Sequence, residues 1–112
     1  MSKSDLIKKK CVPCKDKSIK ALSGKDLEDY MEEAFGWGID VDLKKISKEF
    51  VFKDFIGAIN FVERVADLAE EEGHHPDIHV YYNKVVIELW THSVGGLTEN
   101  DFILAVKIDA YR

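Results

Sequence analysis

The chain has 112 residues, 46% hydrophobic and 11% aromatic, which suits one domain with a real core and excludes a long disordered chain. Its net charge of −5 is split: residues 1–25 hold eight Lys against Asp5 and Asp16, or +6, whereas residues 26–112 hold eight basic against nineteen acidic side chains, or −11. An acidic body argues against a nucleic-acid surface, no apolar run reaches the about 18 residues of a membrane span, and MSKSDLIKKK lacks the apolar stretch of a signal peptide.

Residues 1–21 show no clean period and are expected to form a basic, partly ordered arm ahead of a single domain over 22–112. Within it, Cys11 and Cys14 form a lone CxxC. Two cysteines build no disulfide framework, and a reducing, cytoplasmic compartment fits them. Ser23 reads as an N-cap with Asp26 at the capping-box position, and Leu27, Tyr30, Met31 and Ala34 follow at helical spacing up to Gly36. The expected helix covers about residues 24–35. Trp37, Ile39 and Val41 alternate with polar neighbours, a turn near Leu43–Lys44 follows, and Ile46–Lys53 supplies the second strand of a hairpin.

Asp54 can cap a second helix, whose apolar stripe is read as Phe55, Ala58, Ile59, Val62, Val65, Ala66 and Ala69, with Gly73 ending it. A second hairpin follows. Ile78, Val80 and Tyr82 alternate on one strand, and Val85, Ile87 and Leu89 on the other, with Asn83–Lys84 as the expected two-residue turn. Gly95–Gly96 makes a loop. Thr98 with Asp101 reads as the capping box of a last helix over about 99–111. The order α-β-β-α-β-β-α gives an α+β fold, a four-stranded antiparallel sheet with three helices packed on one face. The last helix is apolar around much of its circumference (Phe102, Ile103, Leu104, Val106, Ile108), for which self-association is the simplest explanation.

Three of the four histidines converge on one place. With Asn83–Lys84 as the loop, paired residue numbers sum to 167, so Val80 faces Ile87 and Ile78 faces Leu89. Carried outward, His75 falls opposite His92, while His79 falls opposite Glu88 nearer the turn. His74 lies just past a helix C-terminus, where partial negative charge favours an imidazolium, and Glu70, four residues earlier, can hold one imidazole. Pro76 forces His75 into an extended conformation. Rigidly held imidazoles suit general acid–base catalysis, because an unperturbed histidine titrates at about pH 6.5. Competing readings are plain surface polarity and a metal site using Cys11, Cys14 and histidines. No HExxH or other dense ligand pattern supports the metal, and no strand precedes the CxxC as a redox pair would require.

The run EEEGHHP over 70–76, then Tyr82–Val85, Thr91–His92, Gly96-Leu97-Thr98 and Asp101, closely resembles the pterin-4a-carbinolamine dehydratase family. The likeness continues upstream through Gly36–Trp37 and FVFKDF at 50–55, and spans about residues 22–110. It implies dehydration of a 4a-hydroxytetrahydropterin to the quinonoid dihydropterin, without metal or cofactor, in a homodimer or homotetramer. The family's functional histidines fall on His74, His75 and His92. Glu70, Pro76, Thr91 and Asp101 are expected to bind the pterin or orient these rings. His74 and His75 are expected as the main acid–base pair, with His92 as a third donor or acceptor. Some members also serve as dimerisation cofactors for a homeodomain transcription factor, and others point to molybdopterin-related substrates. One position departs: many members carry an aromatic residue two after the proline, where this chain has Ile78.

Overall fold

A computed structural model describes residues 3–12 and 20–111. The elements are α1 (Lys3–Lys8), α2 (Gly24–Glu33), β1 (Gly38–Ile39), β2 (Ile46–Val51), α3 (Phe55–Glu72), β3 (Asp77–Tyr81), β4 (Lys84–Leu89) and α4 (Glu99–Asp109). The strands form one antiparallel sheet in the order β1-β2-β4-β3. The α+β fold is therefore as expected, with α1 as one helix more. Period-two alternation sorts the sheet: Ile46, Phe50, Val85, Ile87 and Leu89 enter the core beneath the helices, while Ser47, Glu49, Val86 and Glu88 turn the other way. Among the described residues no helix is long and apolar enough to cross a membrane.

The ends of α3 follow from two residues. Asp54 accepts the Gly57 N–H at 2.8 Å, and Gly73 takes the left-handed conformation (φ 69°) that closes the helix. Its buried face runs through Ala58, Phe61, Val65, Leu68, Ala69 and Glu72, not along the Phe55–Ile59–Val62–Ala66 edge of the expected stripe. Aromatic packing sets the rotation. The Phe61 ring lies 4.7 Å from that of Phe50 and 5.0 Å from that of Phe52, burying one of the two phenylalanines on the helix. Phe55 is left 47% exposed. Ser23 does precede α2, but its side chain makes no capping hydrogen bond.

The second hairpin turns one residue earlier than expected. Val80 faces Val85, Ile78 faces Ile87 and Asp77 faces Glu88, so the loop is Tyr82–Asn83 and paired numbers sum to 165. Tyr82 adopts φ 52°, and Asn83 is held by the neighbouring strand: Phe52 N–H donates to its carbonyl at 2.8 Å and its Nδ2 donates to the Phe52 carbonyl at 3.0 Å. A two-residue shift keeps every side chain on its expected face, which is why the apolar pattern could not detect it. It does overturn the pairings of His75 with His92 and of His79 with Glu88. His79 instead faces Val86 and reaches Glu88 diagonally, at 3.0 Å.

Helix α4 is buried at every position from Asn100 to Val106 and again at Ile108. Its cover comes from the chain itself, so self-association is not needed to explain its apolar circumference. Leu6 of α1 is fully buried, and Tyr30 of α2 packs its ring 5.2 Å from that of Phe102. Burying one leucine contributes about 1.5–3 kcal/mol, enough to offset the backbone ordering of only one or two residues. Polar ties fasten the rest of segment 3–12. Lys9 pairs with Glu99 at 2.9 Å, Cys11 N–H donates to Glu72 at 2.8 Å, and Val12 exchanges two hydrogen bonds with the Asn100 side chain.

Glu72 anchors this segment through a carboxylate whose titration is shifted. Burial alone would raise it, but the Cys11 N–H and the Lys107 ammonium, 2.9 Å away, together hold it below the usual 4.5. A depressed folded value means the contribution is complete above the ordinary carboxylate range and is lost as pH falls through the lower one. Acidification below about pH 4.5 is therefore expected to release residues 9–12 before the sheet opens. Glu72→Gln should do the same at pH 7, read as faster amide exchange at Cys11 and Val12 with the β4 amides unchanged.

Candidate active site

The chain changes direction at the end of α3. The N–H groups of Gly73 and His74 both donate to the Ala69 carbonyl, at 2.8 and 3.2 Å. His74 is thereby turned inward and is 3% exposed. Its neighbour points the other way. The side chain of His75 is 63% exposed, with Nε2 2.5 Å from a Glu70 oxygen on the last turns of α3. Two adjacent histidines are thus divided between interior and surface.

Inside, Asp101 is the joint. Its carboxylate is fully buried; Oδ2 accepts the Thr91 hydroxyl at 2.8 Å and the Thr98 N–H at 2.9 Å, and Oδ1 lies 2.6 Å from His74 Nε2. A carboxylate already accepting two donors takes its third from the imidazole, which therefore carries a hydrogen on Nε2. Thr91 gives its only hydroxyl hydrogen to Asp101, so the Thr98 hydroxyl, 2.8 Å away, donates to Thr91. The expected capping role of Asp101 and its expected place in the site are one arrangement. This carboxylate ties the segment after α3 to the segment after β4.

His92 follows Thr91 and is fixed by a tight loop. The N–H groups of Val94 and Gly95 turn back on the Thr91 carbonyl at 3.2 and 3.0 Å, Thr91 N–H donates to Gly96 at 2.8 Å, and Gly95 supplies φ 66°. His92 is exposed, and its ring stacks on the Trp90 indole with centroids 3.9 Å apart. The Trp90 indole is thus the stacking partner of His92. The signal lay in its spacing, since residues two apart in extended chain share a side. Pro76 joins His75 to β3 by a trans bond. Ile78 pairs with Ile87 and packs on the core, so its departure from the family pattern is a packing change. His79, whose ring contacts Glu88 diagonally, stands nearer the hairpin turn.

The Cys11 thiol donates to the Asn100 carbonyl at 3.6 Å, and burial, then the Glu72 charge, pushes it up to about 12. It is therefore protonated near pH 7, the wrong form for a nucleophile. Cys14 lies outside the described residues. Among the described residues, no group of three or more His, Cys, Asp or Glu side chains is arranged to hold a metal ion. The chemistry the site offers is proton transfer at two exposed imidazoles, backed by a buried imidazole–carboxylate pair.

Comparison with known proteins identifies the family. The family model described as Pterin 4 alpha carbinolamine dehydratase matches residues 20–111. The pterin-4-alpha-carbinolamine dehydratase 2 of Arabidopsis thaliana, named as mitochondrial, is 49% identical over 111 residues; the match covers 96% of this chain and 59% of that protein. A putative pterin-4-alpha-carbinolamine dehydratase of Rubrobacter xylanophilus is 42% identical, covering 95% of this chain and 97% of its own. The crystal structure of a transcriptional coactivator/pterin dehydratase from Brucella melitensis superposes with a TM-score of 0.77 at 34% identity, covering 81% of this chain and 97% of that one. By fold, by sequence and by the matched span, the chain belongs to the pterin-4a-carbinolamine dehydratase family.

Proposed function

We propose that the protein is a hydro-lyase that converts a 4a-hydroxytetrahydropterin to the quinonoid dihydropterin by histidine acid–base catalysis, in pterin recycling. The C4a–O bond breaks and the hydroxyl leaves as water after taking a proton. N5 loses its proton, and its electron pair forms the C4a–N5 double bond. One proton enters and one departs, so an imidazolium and a neutral imidazole complete the reaction without net charge change. His75 and His92, the exposed rings beside His74 and Thr91, are the ones assigned to these transfers. His74 is assigned a place behind them with Asp101 and Thr91, holding the two segments together. Glu70 orients His75, and Pro76 fixes its backbone.

The observation that carries this proposal is the Asp101 carboxylate bridging His74 and Thr91, because it fixes the residues beside each, His75 and His92, at one end of the sheet. The test is direct. The 4a-hydroxytetrahydropterin is generated in situ and its ultraviolet change is followed with protein and with buffer alone. Acceleration of about 10² or more is expected, unchanged after treatment with a chelator. Rates equal to buffer would refute the function. Stoichiometric zinc whose removal stopped turnover would replace the imidazole mechanism.

The same proposal includes a homo-oligomer. Val51, Tyr81 and Tyr82 at the turn end of the sheet, with Phe55 and Ile56 beginning α3, are exposed large apolar side chains, and a second copy of the chain is the occupant assigned to them. Light scattering of the purified protein should give a dimer or tetramer, and a monomer at micromolar concentration would contradict this.

A further inference from the structure

The mechanism above leaves Trp90 without a task, yet its indole is held on three sides. The His92 imidazole lies against it at 3.9 Å with the planes 30° apart, the indole N–H donates to Asp77 at 3.1 Å, and Lys45 Nζ stands 4.8 Å from the ring centroid. The grips come from different parts of the chain. Asp77 opens β3, two residues after His75, and Lys45 directly precedes β2. Trp90 directly follows β4, its indole N–H reaches Asp77 two residues after one exposed histidine, and its ring stacks on the other.

We infer that Trp90 is a positioning residue: stacked on His92 and anchored to Asp77, it fixes the plane of the His92 ring relative to the His75 end of β3. An exposed imidazole has two torsions to settle, and without a flat neighbour it spreads over several rotamers. An aromatic face at this distance biases that population, and the anchored N–H keeps the indole itself from turning. Proton transfer is sensitive to such placement, since an error of about 1 Å can cost about a hundredfold in rate. The inference deepens the dehydratase proposal and rests on it, but its first readout needs no substrate.

In substrate-free protein the carbon-bound ring protons of His92, assigned by their loss in His92→Ala, are expected upfield of an ordinary histidine because of the indole ring current. Trp90→Leu should move them back and lower kcat about tenfold with KM changed less than about twofold. Trp90→Phe keeps an aromatic face and should restore most of both. His92 signals unmoved by Trp90→Leu would overturn the inference, as would KM rising at unchanged kcat or a loss that Trp90→Phe does not rescue. Absence of turnover in the wild type would contradict the dehydratase proposal and the kinetic role together; the ring-proton displacement separates that outcome from a failure of the stack.

Discussion

Replacing His75 by alanine is expected to lower turnover of a 4a-hydroxytetrahydropterin by about a hundredfold or more while moving Tm by no more than about 3 °C. Both halves come from its surroundings. The side chain is 63% exposed and its one described partner, Glu70, is 77% exposed, so the pair adds at most about 1 kcal/mol to stability. The chemical loss is of another order, because a positioned proton transfer contributes about 10²–10⁴ in rate. Glu70→Ala should lie between wild type and His75→Ala, since it frees the ring without removing it. Steady-state kinetics with thermal unfolding of the same samples makes the check. Near-normal turnover in His75→Ala would remove this residue from the mechanism.

Asp101→Ala should show the opposite pattern, a failure of the fold before a failure of the chemistry. The change removes the one carboxylate that accepts from His74, Thr91 and Thr98, in a site where Asp101 is fully buried. Breaking a buried pair of this kind costs about 3–5 kcal/mol, a large share of the about 5–15 kcal/mol that stabilises a domain. A fall in Tm of roughly 10–20 °C is expected, measured by circular dichroism. Asp101→Asn supplies the contrast. Its carbonyl can accept from Thr91 and Thr98 only if its NH2 faces His74, which then has to accept at Nε2. That variant should keep more stability than Asp101→Ala and show the changed tautomer in its imidazole nitrogen shifts. A Tm within about 2 °C of wild type for Asp101→Ala would show that the bridge does not hold the two segments.

Element identity was readable where one residue makes a local decision. Asp54 and Gly73 bound α3, and Thr98 with Asp101 opens α4, as their types and spacings require. What the sequence concealed was set by partners distant along the chain. The face of α3 was chosen by Phe50 and Phe52, which bury Phe61. The hairpin register was chosen by Asn83 bonding to Phe52, just past the end of β2, with Tyr82 accepting a positive φ. Segment 3–12 has no period because its fastening is polar and long-range, to Glu72, Glu99 and Asn100.

The site was readable as a place more than as a set of roles. Family likeness pointed to residues 70–76, 91–92 and 101, whereas chain geometry pointed to the histidines through a register that the structure overturns; His74, Thr91 and Asp101 form one hydrogen-bonded group. The Gly73 turn divides the adjacent His74 and His75, one buried and one exposed. Trp90 was passed over because its stack with His92 depends on side-chain orientation and not on type or count.

The central claim is that a pterin binds where the exposed rings of His75 and His92 can reach it. Histidine ring spectra of the protein, recorded while a stable dihydropterin is titrated to saturation, address it directly. The signals of His75 and His92 are expected to move together along one binding curve while those of His79, nearer the hairpin turn, stay fixed. Displacement confined to His79, or none at pterin concentrations that saturate turnover, would contradict the claim.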